Sequence, residues 1–165
     1  MFTVREATIA DADATARVHT LSWQTSYRGI LPAEVLDALD VNVRAEKRRA
    51  RMENATGVYL VGCDAAGEIV GFCDAGPSRE PGEIRGEVYA IYLLDSAKRS
   101  GLGRALFDGA MTWLRDRSLL PVSVWVFEDN PGARRFYQAM GGQLEGRSNV
   151  TIGDDMYMEV SYVWR

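Results

Sequence analysis

The chain has 165 residues, of which 47% are hydrophobic and 25% charged, a composition that excludes a disordered, collagen-like or coiled-coil protein. Nineteen Lys and Arg residues against 23 Asp and Glu residues give a net charge of −4, which disfavours a nucleic-acid-binding protein. No apolar run approaches the roughly 18 residues of a membrane span, and charges from Arg5 onward leave no signal-peptide pattern. We therefore expect one cytoplasmic domain over residues 1–165, with neither a nucleic-acid partner nor a membrane partner.

The content of Cys and His excludes the usual kind of zinc site. Two cysteines and one histidine cannot supply four Cys and His ligands, so we expect no metal cofactor. Cys63 and Cys73 lie in apolar runs that are typical of neighbouring strands. We therefore expect both to be reduced thiols in the core.

The first half of the chain predicts one strand, three helices and a hairpin. Residues 3–7 alternate like a short strand, and Thr8 with Asp11 resembles a capping box that opens a helix over about 10–26. That helix is expected to bury Ala14, Val18 and Leu21. Pro32 begins a short helix to about residue 39, and residues 58–64 and 68–76 predict two hairpin strands. A further helix over 43–53 has a basic face, expected to be solvated, that carries Arg44, Lys47, Arg48, Arg49 and Arg51.

The second half alternates between strands and helices. Strands are predicted at 86–94 and 121–129, helices at 100–118 and 130–142, and two closing strands at 142–147 and 156–165. The order predicts a mixed α/β fold with a mostly antiparallel central sheet, one parallel strand–helix–strand unit, and about four or five flanking helices. The aromatic last strand could lie at a sheet edge and pair with a second copy, so a homodimer is a hypothesis.

The turn between the strand at 86–94 and the following helix is the most informative segment. Gly101 and Gly103 let the backbone approach a ligand closely, and the amides at a helix start have no intrahelical partner. With Lys98, Arg99 and Arg104 nearby, the turn predicts an anion site suited to a pyrophosphate. The alternative is a tight turn with solvated charges. No Walker P-loop string occurs, and Leu106 stands where a dinucleotide fingerprint needs a third glycine.

Two motifs resemble those of the GNAT superfamily of N-acetyltransferases, and each lies in the kind of secondary-structure element where that family has it. KRSGLG, at 98–103, is similar to that family's pyrophosphate motif Q/R-x-x-G-x-G/A, with Lys98 in place of Gln or Arg. NPGARRFYQAMGG, at 130–142, is similar to its block N-x-x-A-x-x-F/Y-Y-x-x-x-G-F, with Gly142 in place of the aromatic residue. The element order also matches the family over nearly the whole chain. The resemblance implies a GNAT-like fold with one splayed parallel strand pair.

The resemblance implies acetyl transfer from acetyl-CoA to an amine without a covalent enzyme intermediate. Asn130 would lie at the mouth of the splay, although it also fits a helix N-cap before Pro131. Backbone groups near Leu93 would bind the pantetheine arm. The residues expected to bind acetyl-CoA are Leu93, Lys98, Arg99, Ser100, Gly101, Leu102, Gly103, Arg104 and Asn130.

The chemistry of amine acylation calls for an acid and a base. An alkyl amine with a pKa of about 10.4 is almost fully protonated at pH 7, so a group that accepts its proton helps the reaction. Glu87 is the candidate base, because it begins the strand before the glycine turn; it would share a face with Tyr89 and Ile91 unless a bulge intervenes. Tyr137 corresponds to the family's general acid. Their alternatives are a water-facing Glu87 and a core Tyr137.

The acceptor is expected to be a primary amine of a small molecule or peptide. The string SWQTSYRGILP, at 22–32, resembles a subgroup with members that act on polyamines or other small amines, so Trp23 and Tyr27 could line the pocket or stack in the core. His19 could also contribute to this wall and is a weak candidate for a catalytic base, because a lone His on a helix is usually structural or exposed. Asp74, Asp154 and Asp155 could attract a cationic amine or be ordinary loop acids.

Two other functions compete with this interpretation. One is a GNAT-like module that senses acyl-CoA without turnover, against which the presence of Glu87 and Tyr137 argues. The other is a nucleotide-binding oxidoreductase, which only the Gly-x-Gly at a helix start suggests.

Overall fold

The computed structural model describes residues 1–165 and contains one mixed seven-stranded sheet in the order β1-β2-β3-β4-β5-β7-β6. The strands are β1 (Thr3–Glu6), β2 (Val58–Cys63), β3 (Ile69–Pro77), β4 (Gly86–Leu93), β5 (Val122–Phe127), β6 (Gln143–Ile152) and β7 (Asp155–Trp164). The helices are α1 (Ala12–Ser26), α2 (Ala33–Asp37), α3 (Val41–Glu53), α4 (Leu102–Asp116) and α5 (Pro131–Ala139). The predicted mixed sheet with one parallel pair is confirmed. None of the helices combines the length and the apolar character that a membrane span requires.

Helices cover both faces of the sheet. The main core lies on the face covered by α4 and α5, where Leu106, Ala110 and Leu114 of α4 are fully buried as their helical spacing predicts. A smaller core on the opposite face forms between α1 and Phe72 of β3. Cys63 and Cys73 are buried free thiols, as predicted.

Strands β4 and β5 pair in parallel only at their first residues. Gly86 lies opposite Val122 and Glu87 opposite Ser123, and no further residues of the two strands pair. Because β4 continues to Leu93 and β5 to Phe127, the two strands separate along most of their length. The separation leaves unpaired backbone groups in the middle of the sheet, where a ligand can bond them.

Three expectations about the N-terminal half need correction or confirmation. The Thr8–Asp11 capping box is present, with the Thr8 amide donating to Asp11 at 2.8 Å. Of the residues predicted to be buried, Val18 is buried and Ala14 partly buried, but Leu21 is 42% exposed, because α1 turns Ala16, Thr20 and Ser22 inward instead. The basic face of α3 is not wholly solvated either: Arg48 is buried in an ion pair with Asp74, which is therefore no loop acid.

The C-terminal hairpin also differs from the prediction. The predicted strand at 142–147 extends to Ile152, so most of the segment between the two predicted closing strands is part of β6, and the turn to β7 is tight at Gly153 and Asp154. Strand β7 pairs with both β5 and β6 and is not an edge strand. The hypothesis of dimer pairing through the last strand is therefore wrong, because β1 and β6 form the edges.

Candidate active site

A cleft of about 1450 Å³ opens where β4 and β5 separate. It runs from the glycine turn before α4, between the two strands, to a wall formed by α1 and the hairpin of β6 and β7. Of the residues predicted from sequence, the cleft is lined by Trp23, Tyr27, Glu87, Leu93, Lys98, Arg99, Gly101, Gly103, Arg104, Asn130 and Tyr137. The separation of the strands therefore brings the two motifs, which are about 30 residues apart in sequence, to one site.

The glycine turn has the backbone geometry of an anion-binding loop. Gly101 is the N-cap residue of α4 with a φ of 89°, and Arg99 also has a positive φ of 58°. The Ser100 hydroxyl donates to the Ala97 carbonyl at 2.6 Å, and this hydrogen bond stabilises the turn. The first amides of α4 therefore point out of the turn with the positive end of the helix dipole behind them.

The cations near this turn differ in whether they already have a partner within the protein. Arg99 has no carboxylate partner, and Arg104 lies 3.7 Å from Asp108 in a solvent-exposed pair. Lys98 is engaged with Asp95 at 2.6 Å and with the Ser26 hydroxyl at 3.1 Å, so it links the turn to the end of α1. These charges and the free amides fit a pyrophosphate, which carries negative charge and accepts hydrogen bonds on every oxygen.

Two of the predicted binding residues have backbone groups that already bond within the protein, and one of them, Leu102, does not border the cleft. Leu102 is 2% exposed; its side chain packs close to Gly62, and its amide is held by Ser100 at 3.3 Å. The Leu93 carbonyl accepts a hydrogen bond from the Ser22 hydroxyl at 2.9 Å, which fixes the end of β4 against α1. Asn130 caps α5 by accepting from the Ala133 amide at 3.2 Å, as the N-cap alternative predicts, and still borders the cleft.

Tyr137 lies on the inner face of α5 and is 5% exposed. It packs against the rings of Phe107, Tyr162 and Trp164, which hold its own ring in place. Burial raises the pKa of its hydroxyl well above 10, so the phenol keeps its proton at neutral pH. It is thus a core aromatic residue with a neutral phenol, and it also borders the cleft.

Glu87 is 3% exposed, and Arg79 holds its carboxylate in place. The Arg79 backbone amide and Nε each donate to Oε2 at 3.1 Å, and its Nη2 donates to Oε1. A register shift opposite Asp74 and Ala75 makes Tyr89 the extra residue of a bulge. Glu87 therefore does not share a face with Ile91, which packs against the main core, so the bulge overturns the simple strand alternation.

Aromatic residues of α1 and β4 form the far wall. The hydroxyls of Tyr27 and Tyr92 are hydrogen-bonded at 3.0 Å, and Trp23 packs edge-on against Tyr27 at 5.1 Å between ring centroids. Both predicted wall residues therefore stack and line the cleft at once. His19 lies behind them, stacked on Tyr92 at 5.0 Å, and burial together with nearby arginines lowers its pKa to about 3. It does not border the cleft.

Sequence reasoning missed three residues of this site. Arg79 lies in the connection before β4, Tyr92 on β4, and Glu159 on β7, and all three line the cleft. Only the lone charge of Glu159 within the apolar run 156–164 was a signal that could have singled it out. Asp154 and Asp155, in contrast, are exposed at the hairpin turn and do not border the cleft.

Comparison with known proteins decides the family. Residues 16–142 match the model of the acetyltransferase (GNAT) family. The chain belongs to the GNAT family. It is 37% identical to the uncharacterized N-acetyltransferase YuaI of Bacillus subtilis over 165 residues, which cover 99% of this chain and 93% of that protein. The family and this relative identify an N-acetyltransferase that uses acetyl-CoA as its acyl donor.

More distant proteins agree with this assignment. A mycothiol acetyltransferase of Amycolatopsis mediterranei is 33% identical over 138 residues, which cover 79% of this chain and 42% of that protein. The PaiA N-acetyltransferase of Thermoplasma acidophilum, solved in complex with coenzyme A, superposes with a TM-score of 0.74 at 21% identity. That structure covers 96% of this chain and 98% of its own, so the predicted GNAT-like fold is confirmed.

Proposed function

We propose that residues 1–165 act as one acetyltransferase domain that moves an acetyl group from acetyl-CoA to a primary amine of a small molecule or peptide. The amine attacks the thioester directly while both substrates are bound. The observation that carries the proposal is the continuous cleft, which joins an anion-binding turn at one end to an aromatic, carboxylate-bearing wall at the other. A site of this shape holds two substrates side by side and supplies the proximity that acyl transfer needs.

The glycine turn is the proposed site of the cofactor's pyrophosphate. Backbone amides at Gly101 and Gly103 would bond its oxygens, with Arg99 and Arg104 as counter-ions. The pantetheine arm would then follow the edge of β4 that the separation from β5 leaves unpaired. This places the thioester between the strands, near Tyr137.

Tyr137 is the proposed general acid. As the amine nitrogen bonds to the acetyl carbon, the carbon–sulfur bond breaks and the thiolate leaves with the electron pair. A neutral phenol near that sulfur can donate a proton to it, and burial keeps this phenol neutral. A module that only senses acyl-CoA needs no such donor, so the presence of Tyr137 in the cleft favours turnover over sensing.

Glu87 is the proposed proton acceptor. Its carboxylate already receives three hydrogen bonds from Arg79, which leaves little room for direct contact with an amine. We therefore propose that Glu87 acts through one water molecule. The amine loses its proton to this water, and the water passes a proton to Oε1 of Glu87.

The test compares Tyr137→Phe with Tyr59→Phe in an assay of thiol release from acetyl-CoA with a panel of primary amines. Tyr59 is a matched control because its ring is partly buried on β2, away from the cleft. Tyr137→Phe should lower kcat about 100-fold or more without weakening coenzyme A binding, and Tyr59→Phe should leave kcat unchanged. A full kcat in Tyr137→Phe would remove Tyr137 as the acid, and no thiol release by the unmodified protein would favour the sensor.

A further inference from the structure

Four carboxylates line the cleft, and they differ in what they bind. Asp95 is paired with Lys98 at the cofactor end, and Glu87 is paired with Arg79. Glu80 is exposed at the rim. Glu159 is the one that is half-buried inside the cleft and has neither an ion-pair partner nor a hydrogen bond to its carboxylate.

Glu159 occupies a fixed position in the middle of the sheet. It lies opposite Phe127 of β5 on one side and Ser148 of β6 on the other. Its partner on β5, Phe127, belongs to an aromatic cluster: the Phe127 ring packs against Tyr27 at 4.9 Å and against Tyr157 at 6.0 Å between ring centroids. A central strand with a partner on each side holds the Cα of Glu159 more rigidly than a loop would.

The charges around Glu159 show that this carboxylate lacks a cation of its own. Burial raises its pKa, Arg79 lowers it and Glu87 raises it further. The Arg79 guanidinium is already bound by Glu87, so its charge is shared between two carboxylates. Glu159 in turn raises the pKa of the Tyr27 and Tyr92 hydroxyls, after the larger effect of their burial. A half-buried carboxylate without a partner is costly in the free protein.

We propose that Glu159 is the acceptor-binding carboxylate, which pairs with the substrate amine in its protonated, ammonium form and so selects cationic amines over neutral ones. This inference rests on the proposed function, because it assigns a residue to the acceptor half of the same cleft. A carboxylate accepts hydrogen bonds from two oxygens, and an ammonium group offers three N–H donors with no acceptor. Charge-assisted hydrogen bonds of this kind are among the strong ones in proteins.

The surroundings of Glu159 fit a short alkyl or cycloalkyl ammonium. The aromatic rings of Tyr27 and Phe127, which both line the cleft, would contact the apolar part of the acceptor, and their negative faces also attract a cation. Glu87 lies across the cleft at the closed end of the strand separation. The two carboxylates therefore have different roles: Glu159 binds the ammonium group, and Glu87 accepts its proton through water after binding.

The experiment compares Glu159→Gln with the unmodified protein and with Glu68→Gln as the matched control. Glu68 is exposed in the turn between β2 and β3, outside the cleft. The probes are cyclohexylamine, which is a cation at pH 7, and aniline, which has a similar ring but is neutral. Calorimetry measures the binding of each amine to the protein saturated with coenzyme A, and thiol release gives KM and kcat separately.

Glu159→Gln should weaken cyclohexylamine roughly 10- to 100-fold, in both Kd and KM. Aniline binding, kcat and coenzyme A binding should stay the same, the melting temperature should not fall, and Glu68→Gln should change nothing. Equal cyclohexylamine affinity in Glu159→Gln and the unmodified protein would overturn the inference, as would an equal loss for aniline. If the unmodified protein releases no thiol with any amine, the proposed function fails instead, and the calorimetric comparison still decides the role of Glu159.

Discussion

The ion pair between Arg48 and Asp74 gives the sharpest prediction about stability. It joins α3 to the middle of β3, with bonds of 2.7 and 2.9 Å between the guanidinium and the two carboxylate oxygens. Arg48 is 3% exposed and Asp74 5%, and the guanidinium lies 4.8 Å from the centre of the Phe72 ring. The Nε of Arg48 is buried and has no hydrogen-bond partner, so Asp74 supplies all of the hydrogen bonds that this cation makes to side chains.

Asp74→Asn keeps the shape of the side chain and removes its charge. The guanidinium is then buried without a counter-ion, and one of its two donors faces an amide nitrogen instead of an oxygen. Breaking a buried pair in this way costs about 3–5 kcal/mol of unfolding free energy. For a chain of this length each kcal/mol corresponds to about 2–4 °C, so the melting temperature should fall by roughly 6–20 °C.

Urea unfolding of the two proteins measures the loss, with Asp13→Asn as the control. Asp13 also forms an ion pair with an arginine of α3, Arg49, but it is largely exposed, so its substitution should cost less than about 1 kcal/mol. The double variant Arg48→Met with Asp74→Leu should recover most of the stability, because no charge is left unpaired. A loss in Asp74→Asn no larger than that in Asp13→Asn would refute the reasoning.

Two further predictions concern the glycine turn and the buried histidine. In Gly101→Ala the added methyl group meets no atom within 4 Å, but the alanine must hold a φ of 89°, which costs about 1–2 kcal/mol. Coenzyme A affinity, measured by calorimetry, should therefore fall roughly 5- to 30-fold. Unchanged affinity would mean that the turn does not bind the pyrophosphate. Burial, with Arg44, Arg48 and Arg51 nearby, lowers the pKa of His19 to about 3. The unfolded chain therefore binds a proton that the folded protein excludes, and stability should fall by up to about 1.4 kcal/mol per unit as pH drops from about 6.5 towards 3. Urea unfolding at pH 7 and pH 5 should show a smaller loss in His19→Gln, and an equal loss in both proteins would contradict this.

The order of the elements was predictable because most of them have a clear period of apolar residues. Helix α4 shows helical spacing of apolar residues and β5 is apolar on both faces, so the central parallel unit follows from the pattern alone. The predicted strand was shorter than the observed β6 because the sequence of β6 alternates little and most of its side chains are exposed. Pairing with β7, rather than a pattern in its own sequence, determines how far β6 extends. The prediction that Arg48 is solvated was wrong for a similar reason, since its place on a basic helix says nothing about the aspartate that lies across from it.

In the candidate site, too, the residues that could be predicted are those that belong to local motifs. The glycine turn, Asn130 and Tyr137 were found because each belongs to a contiguous motif with local geometry of its own. Arg79 reaches the cleft through the irregular connection between β3 and β4, and Glu159 through long-range pairing, which places β7 beside β5 although the two strands are about 30 residues apart. A single sequence carries no record of that pairing, so unpaired charges on β7 cannot be told from charges that face water.

The bulge in β4 determines on which face of the sheet Glu87 lies. Without an extra residue, Glu87 would alternate onto the same face as Ile91 and Leu93, which pack against the core beneath α4. There its carboxylate would be buried among apolar side chains, far from Arg79. The bulge at Tyr89 reverses the alternation and turns Glu87 to the other face, immediately beside the last residues that pair with β5. One inserted residue thus determines which side of the sheet carries the carboxylate, and periodicity alone cannot detect it because apolar residues line both faces of this strand.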